Sequence, residues 1–179
     1  MQSTLRHKRK QPEPLQVQET KTGLVAGLLN AQGMQDCILE LALILNSGLH
    51  LRRAGYLDML GVTETFENKD GSNVYSQVKK YTWFGKPSQA PGSRQGLGFW
   101  IKNRLVNRVT VMEPSKTNDN ILWIRVVSKT GVLYVAVVYV PFEDGSETHA
   151  AEAKTIFETL KSNYCELQTS GTVVIMGDL

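Results

Sequence analysis

Four polar side chains stand at or just past the ends of apolar runs. Asn30 follows GLVAGLL, Glu64 follows LDMLGVT, Tyr139 precedes Pro141 in GVLYVAVVYVP, and Asp178 closes TVVIMGDL. Carboxylate and amide oxygens are the donors a hard divalent cation takes. A carboxylate can also accept a proton from an attacking water. A phenol, with an ordinary pKa of about 10, stays protonated at neutral pH and donates a hydrogen bond. Polar groups emerging together at strand ends are how layered folds build sites. Taken singly, each has a plainer reading: Asn30 as a turn residue, Glu64 as a surface charge, Asp178 as a terminal charge, Tyr139 as a core aromatic. His7, His50 and His149 show no metal-ligand spacing with Cys37 or Cys165 and read as surface or turn residues.

The elements around these residues alternate between strand and helix. Residues 23–32 read as a buried strand running into a loop. Ile38, Leu41, Ala42 and Leu45 have helical spacing, which predicts a helix over 35–47 that stops near Gly48. Residues 57–65 form a second apolar run, 67–73 a turn cluster, 86–96 a Pro/Gly/Ser-rich loop and 97–105 a strand. Residues 120–128 and 131–141 predict an antiparallel pair, the second strand apolar on both faces and so central. Asp144 and Glu147 are spaced as in a capping box. After them Ala153, Ile156, Phe157, Leu160 and Tyr164 share one helix face. Strands and two helices in this order predict an α/β layered domain.

The 179 residues suit one domain with a tail, and 41% hydrophobic with 21% charged residues is a globular composition. No run reaches the ~18 apolar residues a membrane helix needs. MQSTLRHKRKQPEP lacks an apolar segment behind its charges, so secretion is not expected. Two distant cysteines suggest a reduced, intracellular protein with two buried thiols. The net charge of +3 resides in residues 1–22, with five basic and two acidic side chains, while residues 23–179 balance at fifteen of each. Residues 1–22 read as a basic, disordered tail, either simply solvated or a nuclear-import or nucleic-acid-binding segment.

In order, LLNAQG (28–33), LDMLGVTETF (57–66), QGLGFWIKNRL (95–105), VVYVPF (137–142) and TVVIMGDL (172–179) resemble the endonuclease/exonuclease/phosphatase superfamily, the deoxyribonuclease I-like proteins. The resemblance runs closest to the endonuclease domains of non-LTR retrotransposons and covers residues 23–179. It implies a four-layer αββα sandwich, two packed sheets flanked by helices, and Mg²⁺-dependent (or Mn²⁺-dependent) phosphodiester hydrolysis with DNA as partner. It also implies Glu64 as the main metal carboxylate with Asn30 beside it, Asp178 as the group that orients and deprotonates water, and Tyr139 as a donor to the phosphate. Arg94 and Lys102 flank the Gly-Leu-Gly strand as candidate backbone contacts. SKTNDNI (115–121) resembles a family segment that often has a basic residue where Asn120 stands. Trp83, Trp100 and Trp123 are expected to pack in the core or on the sheets.

In the family the Gly-Asp motif leads, after one apolar residue, to an Asn, and a late Asp-His pair follows. Here Leu179 ends the sequence, and none of the three histidines matches that pair. The expectation is therefore a partial sandwich lacking its C-terminal part, impaired in activity, with one sheet face short of its partner. Such a chain would be a monomer or an aggregation-prone fragment. Two other readings stay open: a catalytically inactive gene fragment or nucleic-acid-binding relic, and a related phosphodiesterase acting on RNA or phospholipid. In the latter the 84–96 loop would select the substrate.

Overall fold

A computed structural model describes residues 16–19, 23–47, 57–66, 78–86, 96–141 and 147–179. The first sheet holds β1 (Gln16–Glu19), β2 (Val25–Asn30), β3 (Met59–Thr63), β4 (Tyr81–Lys86) and β5 (Leu97–Lys102), in the order β1-β2-β3-β5-β4. The second holds β6 (Val109–Met112), β7 (Ile121–Ser128), β8 (Gly131–Tyr139) and β9 (Thr172–Asp178), in chain order. Helix α1 (Met34–Ser47) joins β2 to β3, and α2 (Glu147–Leu167) joins β8 to β9. Both are crossovers between parallel neighbours, as parallel pairing requires. The other pairings are antiparallel.

The inner faces of the two sheets meet directly. Met59, Phe99 and Ile101 from the first pack with Ile124, Val135 and Val137 from the second. Gly61 is a point of close approach between the sheets: a Cβ there would collide with Val137 Cγ2 and lie 2.9 Å from Met176 Sδ. Helix α1 covers the outer face of the first sheet through Ile38, Leu41 and Leu45 against Leu60, Val62 and Trp100. Helix α2 covers the second through Ile156, Leu160 and Leu167 against Trp123, Ala136 and Val138. The layers are α-β-β-α, as expected. Strands β6 to β9 cover Met59, Phe99 and Ile101 of the first sheet, while Leu28 and Phe84 on that sheet and Val174 on β9 are only partly buried.

Several local expectations are corrected. The strand at 97–105 stops at Lys102, and Asn103–Arg108 turns into a 3₁₀ helix that carries the chain from one sheet to the other. Gln16–Glu19, read as tail, pairs with β2 from Gln16↔Leu28 to Glu19↔Val25. That ladder uses main-chain groups, so a polar sequence can form it. On α2, Phe157 and Tyr164 are exposed, and the packed stripe runs through Ala153, Ile156, Leu160, Asn163 and Leu167. Cys165 lies exposed on the same helix and Cys37 is half-buried; both are free thiols. Trp100 and Trp123 are buried, and Trp83 stacks against Trp100 with ring centroids 5.0 Å apart. No helix among the described residues is long and apolar enough to cross a membrane.

Candidate active site

Parallel strands point their C-terminal ends the same way, so β2 and β3 deliver their following residues to one edge of the first sheet. Asn30 and Thr63 are register partners at that edge. Three main-chain bonds then zip the two loops together: Ala31 N to Thr63 O at 3.0 Å, Gly33 N to Glu64 O at 2.9 Å and Met34 N to Thr65 O at 2.9 Å. The β3 exit is further tied to β5 by Thr65 N donating to Gly96 O at 3.2 Å. Gly96 has φ +125° and its missing Cβ would strike Thr65 Oγ1, so a side chain is barred there twice over.

The second sheet repeats the arrangement. Strands β8 and β9 are parallel, and Tyr139 is the register partner of Asp178. Val140 N donates to Asp178 O at 2.9 Å, and Tyr139 N to Asn120 O at 3.0 Å. The two sheets present these ends on the same side of the sandwich.

One amide joins them. Asn30 Nδ2 donates to Glu64 Oε1 at 2.9 Å and to Asp178 Oδ2 at 2.8 Å. Its Oδ1 accepts the Gln32 N–H at 3.1 Å, an Asx turn that fixes the side chain. Glu64, Gln32 and Phe66 have φ of 51°, 46° and 52°, a left-handed conformation uncommon for residues with a Cβ. Backbone strain of this kind concentrates at functional sites. A cleft of about 350 Å³ opens beside the cluster, lined by Glu64, Tyr139 and Asp178 together with Val140, Pro141, Ala153, Phe157 and Leu179.

Three of the sequence-identified residues, Glu64, Tyr139 and Asp178, thus line one cleft, and the fourth, Asn30, is hydrogen-bonded to Glu64 and Asp178. Lys102 lies elsewhere. It ends β5 at the edge of the sandwich remote from Glu64, since β5 runs antiparallel to β3 and Ile101 pairs with Met59. Its ammonium lies 4.0 Å from the buried Asp58 carboxylate, which Arg104 also holds. Burial lowers the Lys102 pKa, and the Arg104 and Lys80 charges add to this against the opposing pull of Asp58. Arg94, the 87–95 segment, His7 and His50 lie outside the described residues, and Phe84–Lys86 belong to β4 rather than to a loop. His149 is half-buried in the first turn of α2. Asn120 is buried and donates to Glu152 Oε1 at 2.9 Å. Gln32, which locks Asn30, is a site residue that the sequence motifs do not mark; its place two residues past an Asn at a strand end is the available signal.

The donor set can be tested against a divalent cation. Glu64 and Asp178 are drawn toward one nitrogen, their oxygens no farther apart than the sum of its two hydrogen bonds. Two carboxylates that close repel, and a cation between or beside them relieves this. No cluster of three or more His, Cys, Asp or Glu forms among the described residues. Two carboxylates suit Mg²⁺, which keeps several waters and takes few protein ligands. The residues fit such an ion.

No protein-family model matches the sequence, and comparison with curated proteins gives no match. Solved structures do match. AP endonuclease LMAP from Leishmania major superposes with a TM-score of 0.65 at 15% identity, over 85% of this chain and 54% of that one. The 3'-5' exonuclease NExo from Neisseria meningitidis gives 0.64 at 16% identity, over 86% and 57%. The fold is the deoxyribonuclease I-like sandwich that these structures share. A D. rerio TDP2 structure complexed with a single-strand DNA product shares this deoxyribonuclease I-like fold at a TM-score of 0.57 and 17% identity, over 87% of this chain and 60% of that one. The chain spans just over half the length of the first of these proteins.

Proposed function

We propose that this chain carries the metal-binding and water-activating half of a phosphodiesterase site whose substrate is DNA. The observation that carries the reading is the Asn30 amide holding Glu64 and Asp178 together across the two sheets. Support for DNA comes from the structural neighbours, which include an AP endonuclease and a TDP2 complexed with a DNA product. The retrotransposon-type assignment rests on the ordered strings around Asn30, Glu64, Tyr139 and Asp178 in the sequence.

Glu64 is the carboxylate that would hold a divalent cation, with Asn30 beside it. Bound there, Mg²⁺ would neutralise phosphate charge and stabilise the leaving oxygen. Asp178 orients the attacking water and accepts its proton. Tyr139, its neighbour in register, donates its phenolic hydrogen to a phosphate oxygen. Asn30 keeps both carboxylates in place, its own Oδ1 already satisfied by Gln32.

The test is nicking of supercoiled plasmid by the full chain in Mg²⁺, with and without chelator, beside Glu64→Gln. Nicking that stops with chelator and falls by more than about 10³-fold in the variant supports the reading. Equal nicking by Glu64→Gln, or nicking that persists in chelator, overturns it.

A further inference from the structure

The end of the sandwich remote from Asp178 is strongly basic. Asn103 binds the Lys79–Lys80 turn twice, its N donating to Lys80 O at 3.0 Å and its Nδ2 to Lys79 O at 3.0 Å. The 3₁₀ helix that begins there carries Arg104, whose side chain is 62% exposed, and ends at Arg108. Beyond it, a groove of about 450 Å³ is lined by Asn107, Arg108, Thr110, Ser128 and Lys129, with Val127. Two turns and the helix thus set Lys79, Lys80, Arg104, Arg108 and Lys129 at one end of the sandwich, with Lys80 Nζ donating to Asn46 O at 2.6 Å.

Asp58 is buried and offsets Arg104 and Lys102, its two partners, but not the other cations of this end. Glu19 closes β1, at the opposite edge of the first sheet from β4. Arg108 and Lys129 have no ion-pair partner among the described residues. Residues 23–179 are neutral in sum, so this surface is a segregation of charge rather than a share of a general excess.

We infer that this surface is a second nucleic-acid contact, which holds the phosphate backbone of a segment distinct from the one at the Glu64–Asp178 cleft. The groove offers the side chains that bind phosphate and sugar, Arg and Lys with Asn and Thr beside them. It offers one apolar side chain, Val127, where a membrane-inserting surface needs several. Strand β8 runs from this end at Gly131 to Tyr139 at the cleft, a span of roughly 26 Å at ~3.3 Å per residue. One short segment of duplex cannot serve both ends. The inference rests on the reading that the partner is nucleic acid, but on none of the catalytic roles.

The experiment is duplex-DNA binding by the full chain over a series of salt concentrations, with the combined variant Lys79→Gln, Arg108→Gln, Lys129→Gln. The expected result is a shallower salt dependence, by about 0.9 in logarithmic slope for each phosphate no longer neutralised, with an unchanged melting temperature. Lys129→Glu alone, on a two-residue turn, is expected to weaken binding in the same direction and keeps the test open should the triple variant fold poorly. Unchanged slope and affinity in both, or no salt-dependent binding by the wild type, overturns the inference. So does preferential binding to phosphatidylserine vesicles. Glu64→Gln separates the two sites: it should lose nicking while keeping this binding.

Discussion

Asn30 and Asp178 are joined by a 2.8 Å hydrogen bond although 148 positions separate them in the chain. Because the same nitrogen also holds Glu64, the side chain is a bracket between sheets as well as the acceptor of an Asx turn. Replacing it by Asp sets a third carboxylate against two. We expect Asn30→Asp to lower metal-free stability by about 1–2 kcal/mol and to regain it in Mg²⁺ more than the wild type does. Thermal melts with and without Mg²⁺ measure this. Equal Mg²⁺ effects on both proteins would remove the cation from the site.

Tyr139→Phe deletes one hydroxyl and keeps the ring at the cleft. Nicking should fall by roughly 10²-fold, the cost of one donor to developing charge. The loss should appear in kcat with KM little changed. A variant as fast as the wild type removes Tyr139 from the reaction.

Gly61→Ala tests the packing between the sheets. Its methyl must displace Val137 and Met176, both in the shared core. Overpacking of this kind costs about 1–3 kcal/mol. Chemical denaturation should show the midpoint falling with an unchanged slope. A neutral result would show that the sheets can separate locally at no cost.

Asp58→Asn tests the charged clamp at the basic end. The carboxylate accepts from Val25 N at 3.2 Å as well as from Arg104. Its loss leaves the mostly buried Lys102 ammonium without its counter-charge, and we expect a loss of about 2 kcal/mol. Denaturant unfolding measures it, and nicking by the folded fraction should be unaffected.

The parts of this molecule that depend on local pattern are legible in the sequence. The helix after Asn30 shows its apolar spacing, and Lys129-Thr130 marks the turn between β7 and β8. The four residues at or beside the cleft are legible as a set because each follows or closes an apolar strand. The place of Lys102 is not legible in the sequence because closeness to Gly96 says nothing about direction: β5 starts at the cleft and carries Lys102 away from it. Strand β1 is hidden because a main-chain ladder leaves little trace in polar side chains. Phe157 and Tyr164 share a broad helical stripe with Ile156 and Leu160, and periodicity cannot tell the centre of a stripe from its margin.

The order of synthesis follows from the crossover through α2. A growing chain has Asn30 and Glu64 in place, and their two loops can zip together, long before residue 178 is made. Asp178 joins only after the 21 residues of α2 have packed and β9 has found β8. Pairings of such sequence separation form late, since loop closure must precede their reward. A partly made chain therefore has Asn30 and Glu64 bonded before Asp178 reaches them. The Asn30–Asp178 contact is the last of the cluster to form, after β9 has paired with β8.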